Sequence, residues 1–114
     1  MKYLKTFENL TMPKMYDYVL VKKPTDTTDE LINNINTFLN NNIGKIVGIT
    51  RESVYYVQYD NIPKYLFKNF NYEKNSVNDI QYENYRIINL KDIIYFSDKL
   101  FDINIIKNAE KYNL

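Results

Sequence analysis

The chain has 114 residues, 45% of them hydrophobic, and its 15 basic and 14 acidic side chains leave a formal charge of +1. That length supports one modest hydrophobic core and excludes further domains, while the near-cancelled charge excludes a broad phosphate-neutralising surface, so any basic patch is local. Cysteine and histidine are both absent, which removes disulfides, thiolate nucleophiles, zinc sites and the commonest acid/base near neutral pH. Carboxylates, lysines and tyrosines remain as the candidates for chemistry. Lysine far outnumbers arginine, which occurs as Arg51 and Arg86, and Ala109 is the single alanine. With abundant Asn, Ile and Tyr, this is the usage of an A/T-rich genome, so Tyr and Asn counts alone carry no functional weight.

Residues 1–13 form an expected amphipathic leader, because Leu4, Phe7 and Leu10 recur at a spacing of three before the Met12-Pro13 stop. Glu8 interrupts any apolar stretch that could serve as an export signal, and no run approaches a membrane span. The pattern YDYVLVK over residues 16–22 predicts the first strand, ended by Lys22-Lys23-Pro24. Next, DELINNINTFLN places Leu31, Ile32, Ile35, Phe38 and Leu39 on a helical stripe, predicting an inserted helix over about residues 29–40 with Thr28 or Asp29 as its cap. Residues 42–59 then read as a β-hairpin whose polar break is Thr50-Arg51-Glu52-Ser53. Both glycines of the chain, Gly44 and Gly48, lie there and mark a bulge or sharp bend. By alternation Tyr55, Val57 and Tyr59 face the core, and Val54, Tyr56 and Gln58 face outward.

Pro63 ends the hairpin. KYLFKNF predicts a helical turn that packs Leu66 and Phe67, and residues 71–83 read as a long surface loop. Further strands are expected over residues 85–90 and 93–96, joined by a short turn. Residues 98–114 form a C-terminal helix and tail carrying Leu100, Phe101, Ile103, Ile105 and Ile106. The expected fold is therefore mainly β with helical additions (α+β). It is a five-stranded small barrel over residues 14–97 with a helix inserted between strands 1 and 2 and a C-terminal helix after strand 5.

At YDYVLVK, NNNIGKIVGI, YYVQYDNIP and KDIIYFSDKL, spanning roughly residues 16–100, the chain resembles a group of uncharacterised small bacteriophage proteins with an SH3-like, KOW-type barrel. The opening MKYLKTFEN is similar to the short amphipathic leaders of proteins from large A/T-rich tailed phages. The resemblance implies a phage-encoded barrel and brings no catalytic residues with it.

An enzyme is not expected. Glu52, Asp60, Asp79, Glu83, Asp92, Asp98 and Asp102 are scattered over turns and element ends, where carboxylates cap and solubilise. Gly44-Lys45 lacks the upstream glycine and the following Ser/Thr of a phosphate loop, and Asp26, Asp29 and Glu30 complement a helix dipole rather than bind metal. No catalytic, cofactor or metal site is thus predicted. The leading reading is a non-enzymatic protein-binding module, a host-takeover or anti-defence factor in the host cytoplasm or a virion component, docking on a phage or host protein through its appended helices or the loop over residues 71–84, with Leu4, Phe7, Leu10, Tyr56 and Tyr72 as contacts. Surplus apolar helical surface also allows self-association. The alternative is a nucleic-acid-binding barrel that uses Lys45, Arg51, Tyr56, Lys64 and Lys68. Neither reading involves a membrane.

Overall fold

The computed structural model describes residues 12–51, 53–75 and 80–112, excepting the side chains of 51, 71–75, 80–83 and 110–112. In chain order these form β1 (Tyr18–Val21), α1 (Glu30–Asn40), β2 (Gly44–Arg51), β3 (Val54–Gln58), the 3-10 helix η1 (Lys64–Asn69), β4 (Asn71–Asn75), β5 (Ile80–Asn89), the 3-10 helix η2 (Leu90–Asp92), β6 (Ile93–Ser97) and α2 (Leu100–Tyr112). The six strands make one antiparallel sheet in the order β4-β5-β3-β2-β1-β6. This is an α+β domain, as expected, but the sheet is open: β4 and β6 are its edges and do not pair with each other. The sixth strand comes from the stretch read as a loop. Residues 71–75 pair with β5 from Asn71↔Tyr85 to Asn75↔Ile80. Their sequence, NYEKN, lacks the β-branched run that marks an inner strand, and a polar edge strand needs none.

The sheet is covered on both faces. On one face α1 and η1 bury Ile35, Leu39 and Leu66 against Val19, Val21, Ile46, Tyr55, Val57 and Ile88. On the other face α2 buries Ile103 and Ile106 against Leu20, with Tyr18, Ile43, Ile94 and Tyr95 alongside. The unbroken apolar run of β1 now has its reason: Val19 and Val21 point to one layer, Tyr18 and Leu20 to the other.

Helix α1 starts where its sequence demands. Asp29 has extended backbone angles (φ −98°, ψ 111°) and its side chain accepts a hydrogen bond from the Ile32 N–H at 3.2 Å. Ile35, Phe38 and Leu39 turn inward, whereas Leu31 and Ile32, predicted on the same stripe, stay 46% and 44% exposed. Both belong to the first turn of the helix. Two asparagines of α1 have a structural task. Asn36 donates to the Pro24 carbonyl at 2.7 Å, and Asn40 both accepts from the Lys23 N–H and donates to the Lys23 carbonyl at 2.8 Å. They fasten the β1–α1 connection to the helix, which satisfies backbone groups that a loop would otherwise leave open.

The two glycines serve different ends. Gly44 pairs with Val19 across β1 and β2, and a Cβ there would strike Val57 Cγ1 and lie 2.8 Å from Tyr59 Cζ. Neither glycine has a positive φ, so Gly44 is required for close approach and not for conformation. Gly48 adjoins the predicted bulge, since the β2–β3 register shifts between Ile46 and Gly48.

Candidate functional site

The hairpin alternation holds on its inner side: Tyr55, Val57 and Tyr59 are 2%, 0% and 1% exposed. Outward lie Lys45, paired with Gln58, and Tyr56, opposite Gly48. Tyr56 is not the freely exposed contact expected from alternation alone. It is half-buried and stacks on Tyr85, with ring centroids 4.5 Å apart and planes 21° from parallel. The register that pairs Gln58 with Tyr85 sets this contact, because it puts Tyr85 on the same sheet face, diagonal to Tyr56.

Lys45 is better placed. Its ammonium lies 5.6 Å from the ring centroids of both Tyr16 and Tyr18, within cation–π range. Tyr16 is 62% exposed and sits at φ 71°, a left-handed conformation uncommon for an aromatic residue. The turn that holds it is fixed by the Lys14 N–H to Asp17 Oδ2 bond at 2.9 Å and the Tyr16 N–H to Ile46 carbonyl bond at 2.8 Å. Sequence reasoning missed Tyr16 and Tyr18 because their partner is distant in sequence and is brought in by the β1–β2 pairing of Tyr18 with Lys45.

The other predicted site residues are not gathered with these. Lys64 and Lys68 belong to η1, whose Leu66 enters the core on the opposite sheet face. Arg51 closes β2 and Tyr72 lies in β4, with their side chains outside the described residues, and Leu4, Phe7 and Leu10 lie outside them altogether. The basic–aromatic set proposed from sequence is therefore split between the two faces.

Apolar exposure is concentrated on structured elements. On α2, Phe101 is 72% exposed and Leu100 and Ile105 are 44% exposed, while Ile103 and Ile106 on the other side of the helix are buried. On η1, Tyr65 is 68% and Phe67 54% exposed. Phe67 was expected to pack beside Leu66. In a 3-10 helix successive residues are about 120° apart, so when Leu66 points inward its neighbour cannot.

Two buried polar atoms are out of balance with their surroundings. The Tyr59 hydroxyl and Arg86 Nε are buried without a hydrogen-bond partner, although Arg86 Nη1 donates to the Asn69 carbonyl at 2.7 Å. Burial pushes the Tyr59 hydroxyl far above its ordinary pKa, with Arg86 acting in the opposite sense. Burial likewise lowers Arg86. A folded-state pKa raised above the unfolded value of 10.0 leaves stability complete below that pH and erodes it as pH rises further. Tyr59→Phe should keep the ring packed with Phe38 and Phe70, at centroid distances of 5.7 and 6.1 Å, while deleting the orphaned hydroxyl. We expect the variant to match or exceed wild-type stability by about 1 kcal/mol in urea unfolding, and to hold that stability to higher pH.

No protein-family model, curated protein or solved structure matches this chain.

Proposed function

We propose that the protein is a non-enzymatic, phage-encoded protein-binding module, docking on a phage or host protein in the host cytoplasm or on the virion. The observation that carries this reading is the two-sided character of α2. Ile103, fully buried, fixes the helix to the sheet, and Phe101 presents a large apolar ring that is 72% exposed. Aromatic anchors on rigid elements are what protein interfaces are built around, and exposed apolar patches mark such interfaces. The strand succession β6-β1-β2-β3-β5, with a 3-10 turn before the last strand, supports an SH3-like reading of the domain, elaborated by α1 and β4. Among the described residues no helix is long and apolar enough to cross a membrane.

The test compares affinity capture from host lysate by wild type and by a Phe101→Glu/Ile105→Glu variant. The variant should fold normally and lose at least one wild-type partner. An identical partner set would remove α2 from the account. Concentration-dependent mass in light scattering, abolished by the same variant, would instead assign the face to self-association.

A further inference from the structure

We propose that η1 is a contact for single-stranded nucleic acid, a site separate from the α2 face. The argument starts from helical phase. In a 3-10 helix residues three apart eclipse one another, so KYLFKN stacks Lys64 over Phe67 on one outward side, Tyr65 over Lys68 on the other, and Leu66 over Asn69 on the inward edge. The structure follows this phase. Leu66 is fully buried, while Lys64, Tyr65, Phe67 and Lys68 are all exposed. The inward edge is fixed by two further contacts: the Leu66 N–H donates to the Pro63 carbonyl at 2.9 Å, and Arg86 Nη1 holds the Asn69 carbonyl at 2.7 Å. The ridge is therefore held in place while its two outer sides remain open.

Each outer side carries one aromatic ring and one ammonium group. Among the described residues neither lysine has a carboxylate partner, the ion pair found there being Lys23–Asp92 at 3.5 Å, and neither ring is stacked or capped by a cation. A ring face that takes a base, beside a cation that takes the adjoining phosphate, is the repeated unit by which single strands are held without sequence preference. Two such units lie within five residues of chain. An acidic protein segment would call for the lysines but not for the bare rings, and a duplex would keep its bases stacked away from them. Charge and ring together favour an unpaired strand.

The experiment is fluorescence anisotropy of a labelled oligothymidylate of about eight nucleotides with the full chain, from low to moderate salt. Binding at low salt is expected. Tyr65→Ala and Phe67→Ala should each weaken it about 5- to 160-fold. Lys64→Gln with Lys68→Gln should lower the slope of log affinity against log salt by about 1.4. All four substitutions are on exposed side chains, and their thermal midpoints should stay at the wild-type value. Absence of low-salt binding, or binding that both ring variants leave intact, overturns the proposal. So does equal retention of an oligoglutamate peptide with no dependence on the rings, which would reassign η1 to acidic protein partners.

Discussion

Gly44→Ala is expected to destabilise the protein by about 3 kcal/mol, the upper end of the cost of overpacking a core. The added methyl would occupy space already filled by Val57 Cγ1 and by the Tyr59 ring, whose Cζ is 2.8 Å from the new atom. Both neighbours are fully enclosed, at 0% and 1% exposure, and Tyr59 is wedged edge-on against Phe38 and Phe70. None of them can swing aside. Gly44 also pairs with Val19 in the ladder, so a backbone shift that relieved the clash would strain β1–β2 pairing. Gly48→Ala provides the contrast. Its Cβ would lie 3.0 Å from Tyr56 Cδ2 and 3.3 Å from Tyr56 Cβ and Cγ, close but without the outright overlap met at Gly44, and a loss of about 1 kcal/mol, the lower end of overpacking, should follow. Urea unfolding with an unchanged slope measures both. Equal losses would show that the overlap with Val57 and Tyr59 does not set the cost at Gly44.

Ile103→Ala is expected to cost 2–5 kcal/mol, the range for removing a buried Ile side chain from a site that collapses only in part. The residue is fully buried beneath α2 and packs with Leu20 and Ile106. The layer on that face is small, so the cavity has few neighbours able to fill it. Two residues earlier, Phe101→Ala removes a larger side chain that is 72% exposed, and should change stability by less than about 0.5 kcal/mol. The pair separates anchor from contact on one helix. Ile103→Ala should weaken folding and, through it, partner capture, whereas Phe101→Ala should weaken capture alone. If the two substitutions cost the same stability, α2 is seated differently and its outward face is not Phe101.

Much of this architecture was legible because local patterns and tertiary environment agree. Thr28-Asp29 ahead of an apolar-periodic run gives the start of α1 to within a residue, the structure choosing Asp29 as the cap, and alternation through Tyr55, Val57 and Tyr59 gives the inner face of β3. Three features were not legible, each for a reason that lies outside local pattern. Edge strand β4 forms from polar residues because its backbone finds β5. Asn36 and Asn40 of α1 reach back to Pro24 and Lys23, a loop that no periodicity scan connects to them. The site residues sorted onto two sheet faces because Lys64 and Lys68 follow the phase of a 3-10 turn, whereas Lys45 and Tyr56 follow the pleat of a strand. Sequence proximity grouped them, and topology parted them.

Both proposed contacts, on α2 and on η1, depend on certain aromatic rings standing outside a well-packed sheet while others are sealed within it. Hydroxyl-radical footprinting of the isolated chain, read residue by residue by mass spectrometry, tests that division directly. Phe101 and Tyr65, at 72% and 68% exposure, should be oxidised rapidly, and Tyr55 and Tyr59, at 2% and 1%, should be protected by at least an order of magnitude. Oxidation of Tyr59 at the rate of Phe101, or protection of Phe101 equal to that of Tyr59, would contradict the account.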